Sequence, residues 1–80
     1  MDVVLDDDAW TDLEDGTEAL LQEWFVKPGD VVEAGQVLAT VELVKTTYDV
    51  VAAVKGRVSS IEVGEQATFA RGVSLATLEV

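Results

Sequence analysis

The sequence predicts an all-β domain, a small sandwich or flattened barrel made of two similar halves. Three observations predict it: the body is rich in Val, Leu, Ile and Thr, its apolar runs are short, and one strand pattern occurs twice. The runs are cut at Pro28-Gly29, Ala34-Gly35, Lys55-Gly56, Val63-Gly64 and Arg71-Gly72, residue types that turn a chain at low cost.

The elements follow in order. Val3-Leu5 reads as a short first strand, and a run of carboxylates comes next, with a helical turn expected only near Ala9-Leu13. Leu20-Val26 carries Trp24 and Phe25 on opposite faces, and core or half-buried packing is expected of both. After Val31-Val32, the strand Val37-Leu43 sets Val37, Ala39, Val41 and Leu43 on one face and Thr40 and Glu42 on the other. Tyr48-Ala53 continues the alternation, Tyr48, Val50 and Ala52 opposing Thr47 and Asp49. Arg57-Val63, a short piece at Ala67-Phe69 and Ser74-Val80 complete the set.

Leu38-Ala39-Thr40-Val41-Glu42 recurs as Leu75-Ala76-Thr77-Leu78-Glu79, an offset of 37, with Gly35 and Gly72 before it at equal distance. Upstream, Val26-Lys27-Pro28-Gly29-Asp30 matches Ile61-Glu62-Val63-Gly64-Glu65 at an offset of 35, which implies two extra residues in the second copy. Neither half can bury its apolar face alone, so the halves are expected to pack on each other about an approximate twofold axis. The second copy ends where the first runs on into Val44-Lys45-Thr46. That segment is therefore the asymmetric element. Pairing Val41 with Tyr48 and Glu42 with Thr47 makes it a tight hairpin turn, although it lacks the Asn-Gly or Asp-Gly such turns favour. Lys45 then presents a primary amine on a flexible stem, open to a modifying enzyme. Lys27 and Lys55 sit at ordinary turns and read as solvated surface.

Composition excludes much chemistry. Eighty residues hold one small core, so 1–80 is expected to be a single domain. There is no cysteine and no histidine, which removes disulfides, thiolate sites, the usual general base and the commonest zinc ligand. Ser59, Ser60 and Ser74 lack an obvious base, so no catalytic residue is expected. The net charge of -11 is uneven: residues 1–23 carry -9 and residues 24–80 only -2. The acidic N-terminal segment, 1–18, reads as a solvated loop, the alternative being a docking face for a basic partner. Trp10 within it either pins the loop to the barrel or belongs to a partner surface. Asp12, Glu14 and Glu23 occupy calcium-loop positions 1, 3 and 12, but Gly16 falls at position 5 where the loop needs glycine at 6, so no metal site is expected. Too few Lys and Arg are present for nucleic acid, and no apolar run nears the ~20 residues of a membrane span. A soluble, cytoplasmic protein is expected.

The stretch from Trp24 through Lys27-Pro28-Gly29-Asp30, Gly35-Gln36, Glu42-Leu43-Val44-Lys45-Thr46 and Val54-Lys55-Gly56-Arg57-Val58 to Leu75-Ala76-Thr77-Leu78 resembles the biotinyl/lipoyl carrier domain. The resemblance spans residues 16–80. It implies a flattened barrel of two four-stranded antiparallel sheets, covalent modification of Lys45, and structurally required turns at Gly29, Gly35 and Gly56. Biotinyl domains flank the lysine with methionine, and Val44 and Thr46 stand there instead, so biotin is the alternative and lipoate the expectation. Glu42 matches the glutamate of lipoyl domains, most like those of 2-oxoacid dehydrogenase acyltransferases, while valine before the lysine is similar to the H-protein-like carrier of glycine cleavage. The resemblance implies a non-catalytic carrier, free-standing or a module of a dihydrolipoyl acyltransferase. Its swinging arm would move acyl groups and reducing equivalents among a thiamin-dependent decarboxylase, an acyltransferase and a dihydrolipoyl dehydrogenase. A lipoate ligase or lipoyl transferase would load it. Glu42, Val44, Thr46 and Thr47 would form the recognised surface; the other readings are a biotin carboxyl carrier and an unmodified interaction module.

Overall fold

The computed structural model describes residues 1–11, 13–14 and 16–80. Among the described residues there are eight strands: β1 (Asp2–Val3), β2 (Glu18–Trp24), β3 (Val31–Val32), β4 (Val37–Leu43), β5 (Thr46–Val51), β6 (Gly56–Ile61), β7 (Thr68–Ala70) and β8 (Ala76–Glu79). They form two four-stranded antiparallel sheets, ordered β1-β8-β6-β3 and β5-β4-β2-β7. The sheets close over one apolar core that includes Leu21, Val32, Leu38, Val41, Val58, Leu75 and Leu78, and the molecule is flattened, 34 × 21 × 17 Å. The all-β barrel-sandwich is thus the architecture.

Exchanging the sheets maps β5 on β1, β4 on β8, β2 on β6 and β7 on β3, which reproduces both strand orders. The twofold relation extends to single atoms. Gly29 N–H donates to the Val58 carbonyl at 2.7 Å, and Gln66 N–H, 37 residues on, donates to the Leu21 carbonyl at 2.7 Å. Bulges fall between Leu21 and Glu23 in β2 and between Val58 and Ser60 in β6. Val26 and Val63 are each 8% exposed. The offset of 35 read from the Pro28-Gly29 region is therefore wrong: the offset is 37 there too, with no inserted residues. Matching glycine to glycine caused the error. The residue in the place of Gly29 (φ 97) is Gln66 (φ 69), a side-chain-bearing residue in the left-handed region.

Every expected strand exists; β3 and β4 have the expected ends and the others are shifted. β2 begins two residues early because β7 pairs with its start, Glu18 facing Ala70. β5 begins at Thr46 because the ladder runs to the foot of the turn. In β4 a bulge between Val37 and Ala39 breaks strict alternation, so Leu38 and Ala39 are both fully buried while Val37 is only partly so. Phe25, expected in or against the core, is 53% exposed. It lies just past the end of β2, whereas Trp24 packs on the core and donates its indole N–H to the Val63 carbonyl at 2.8 Å.

The acidic segment is not a detached loop. Val3, Leu5, Ala9 and Trp10 are buried, and the helical turn, a 3₁₀ helix, lies at Asp7–Trp10 with the Asp6 carboxylate accepting from Asp8 N–H at 3.0 Å. Trp10 packs edge-on against Phe69, ring centroids 6.1 Å apart. The indole pins the segment to the barrel, and its carboxylates among the described residues are exposed because burial of unpaired charge is prohibitive. Asp12 and Asp15 lie outside the described residues. Among the described residues no helix is long and apolar enough to cross a membrane.

Candidate functional site

β4 and β5 are joined by a two-residue loop. Leu43 faces Thr46 as the last cross-strand pair, leaving Val44 and Lys45 at the tip. Beneath them Glu42 faces Thr47 and Val41 faces Tyr48, the register the alternation predicts. Leu43 and Val41 turn into the core, whereas Glu42, Thr46 and Thr47 are exposed. The inward residues hold the hairpin to the body, and the outward ones form a polar collar below the tip.

Val44 is the unexpected feature. Its φ is 60° and its side chain is 59% exposed. Two-residue hairpin loops require positive φ at their first central residue, a demand normally met by Gly, Asn or Asp. A β-branched residue there is strained, and an exposed side chain gains little core packing in return. Lys45 follows, exposed, and among the described residues it makes no ion pair. Its Nζ is thus carried at the apex of a ladder that fixes the backbone beneath it. β2 lies beside β4 with Leu20 facing Glu42; continued by two residues, that register brings Glu18 level with Val44. The far end of the acidic segment therefore meets the barrel at the height of the tip.

The other lysines are placed differently. Lys55 pairs with Glu33 at 3.8 Å, both side chains largely exposed, and Lys27 opens a turn in which its N–H donates to the Asp30 carboxylate at 3.1 Å. The three glycines differ in kind. Gly29 and Gly35 have positive φ, as turn glycines do. Gly56 instead opens β6, and a Cβ there would lie 2.5 Å from the Glu79 carbonyl oxygen, so glycine is needed for close approach of two backbones.

Ser60 Oγ donates to Glu62 Oε1 at 2.6 Å, and Ser59 and Ser74 donate to the carbonyls of Thr77 and Ala76 at 3.3 and 3.2 Å. None is held by a base backed by a third group, the arrangement nucleophilic catalysis uses. Among the described residues no group of three or more acidic side chains is arranged for a metal; of the calcium-loop positions, Asp12 lies outside the described residues. The sequence places Lys45 in the turn with the register that the ladder has. Sequence reasoning missed the left-handed backbone of Val44, for which the apolar residue in a two-residue loop was the available signal.

The fold has a close counterpart among solved structures. The solution structure of the lipoyl domain of the 2-oxoglutarate dehydrogenase complex from Azotobacter vinelandii superposes with a TM-score of 0.80 at 24% identity, covering 100% of this chain and 96% of that one. The family whose description is "Biotin-requiring enzyme", the biotin/lipoyl family, matches residues 13–78, most of the chain and all of the hairpin. Two four-stranded sheets related by a pseudo-twofold, with a lysine at the hairpin that breaks the symmetry, accompany that match, and the chain belongs to the biotin/lipoyl attachment family.

Proposed function

We propose that the chain is a lipoyl carrier domain modified on Lys45 and serving a 2-oxoacid dehydrogenase-type complex. The observation that carries the reading is the exposed Lys45 amine at the apex of the two-residue β4–β5 loop. Such an amine fits a group attached through an amide: it is reachable by a modifying enzyme, and no carboxylate among the described residues holds it down. When attached, lipoate supplies a dithiolane that carries acyl groups and reducing equivalents. This chain supplies rigidity and reach. The ladder from Val41–Tyr48 to Leu43–Thr46 keeps the attachment point from folding back, and tethering raises the effective concentration at successive sites to about millimolar for short flexible tethers. No residue of the chain is assigned a catalytic role.

Lipoate is favoured over biotin because Val44 and Thr46, not methionines, flank Lys45, and because a lipoyl domain shares the fold over its full length. Glu42, Val44, Thr46 and Thr47 form the surface read by the lipoate ligase or lipoyl transferase, and by the decarboxylase, acyltransferase and dihydrolipoyl dehydrogenase that use the arm. The strained, exposed Val44 supports this, since it gives the tip an apolar contact unrelated to core packing. Residues 1–80 act as one carrier domain, its acidic segment tied in through Trp10, and the setting proposed is the cytoplasm.

Intact-mass measurement after co-expression with a lipoate ligase or a biotin ligase tests the reading. A single lipoyl adduct that is abolished by Lys45→Ala is expected. An unshifted mass with both enzymes, or an adduct that survives Lys45→Ala, overturns it; a biotinyl adduct alone would make the chain a biotin carrier.

A further inference from the structure

Away from the tip, the two edge strands β1 and β5 carry the same tripeptide. Asp2-Val3-Val4 and Asp49-Val50-Val51 are identical, and the pseudo-twofold superposes them: Asp2 faces Thr77 in β8, and Asp49 faces Thr40, the residue 37 earlier, in β4. The alternation has the same effect in both. Val3 and Val50 are buried, 6% and 2% exposed, while Val4 and Val51 are left out, 45% and 47% exposed.

These outward valines share one groove. Two adjoining cavities of ≈ 180 and ≈ 280 Å³ have Val4, Val51 and Ala53 in common; Met1 and Leu78 extend the apolar lining at one end and Leu5 at the other. The rim is formed by Asp2, Asp6 and Asp49, and none of the lining side chains is basic. The one positive group, the Met1 α-ammonium, is occupied with the Leu78 carbonyl at 2.9 Å. Each cavity falls below the roughly 300–1,000 Å³ of a small-molecule pocket, a size that suits side chains of a peptide.

We propose that this groove is a docking site for an extended segment of another protein, one carrying aliphatic side chains flanked by Lys or Arg. The aliphatic groups would cover Val4 and Val51, and the cations would meet Asp2, Asp6 and Asp49. A second copy of this chain is a poor occupant: the groove lies on the pseudo-twofold, so self-pairing sets carboxylates against carboxylates between chains of charge -11. An anionic lipid surface is disfavoured by the same rim. The proposal does not depend on modification of Lys45.

The test is a methyl and amide NMR titration of the unmodified chain with a synthetic Lys-Leu-Lys-Leu-Lys peptide, alongside a Glu-Leu-Glu-Leu-Glu control. Shifts centred on Val4, Val51, Asp2 and Asp49 are expected with the first peptide only. Val4→Thr with Val51→Thr, isosteric and exposed, should weaken binding by about tenfold while the spectrum stays folded. Asp2→Asn with Asp49→Asn should weaken it too and flatten its salt dependence. The proposal is overturned by no binding, by shifts centred on Asp7 and Asp8 instead, by affinity indifferent to both double variants, or by self-association of the chain through this face.

Discussion

Val44→Gly should stabilise the protein, although glycine substitutions in β structure ordinarily do the opposite. The left-handed backbone costs an L-residue about 1–2 kcal/mol, and a β-branched side chain belongs at the upper end of that range. Glycine escapes this cost at φ 60° but gives back about 0.5–1 kcal/mol through the greater freedom of its unfolded chain. Because Val44 is 59% exposed, little buried area is lost. The balance is a gain of about 1–1.5 kcal/mol, or a rise in Tm of roughly 4–12 °C for a domain of this size. Val31→Gly is the matched control: Val31 is 61% exposed, sits in β3 facing Arg57, and has no positive φ, so its replacement should cost about 0.5–1 kcal/mol. Thermal unfolding by circular dichroism reads both. The two variants must move in opposite directions. If Val44→Gly lowers Tm as Val31→Gly does, the tip is not strained and the case for a functional valine loses its physical basis.

Gly56→Ala should destabilise by about 1–3 kcal/mol, since the new Cβ meets the Glu79 carbonyl oxygen at 2.5 Å and one backbone must move; a midpoint in urea unchanged from the parent would refute this. Trp10→Ala should cost about 3–5 kcal/mol because the indole is 4% exposed and stacked edge-on against Phe69, and a loss below about 1 kcal/mol would mean the acidic segment is not part of the core. Val44→Asp, with normal lipoylation confirmed by mass, should raise the rate of reductive acylation by a 2-oxoacid decarboxylase if an acid before the lysine is what that enzyme reads; no increase counts against such a role.

Much of the fold was legible because short β-branched runs between glycine turns leave few alternatives, and the Leu38–Glu42 and Leu75–Glu79 copies are alike enough to imply two halves. The rest depends on local geometry that residue type does not announce. Gln66 takes the left-handed place that glycine holds in the other half, so aligning glycines produced a false offset. The bulge beside Leu38 switched which residues of β4 face inward. The Asp-Val-Val repeat escaped notice because its offset is 47, not 37. The connection from β1 to β2 is ten residues longer than that from β5 to β6, and the acidic 3₁₀ segment occupies the difference. Core or half-buried packing of Phe25 follows from a strand running to Val26, but β2 ends at Trp24 and Phe25, just past it, is exposed.

Pseudo-symmetry also sets the hairpin loop apart from the rest of the chain. The exchange of sheets that carries β4 and β5 onto β8 and β1 carries the hairpin loop onto the two chain ends, where Leu78 N–H donates to the Met1 carbonyl at 2.7 Å. Part of the core is built twice, by Leu38 and Leu75, Ala39 and Ala76, Val41 and Leu78, all nearly or fully buried. Val44 and Lys45, beyond the last cross-strand pair, are both exposed and contribute nothing to it. A residue there answers only to the geometry of the turn and to whatever approaches from outside, and Val44 violates the first. On the proposed reading the second is the reason for its presence, with Val44 beside Lys45 in the surface that a partner reads.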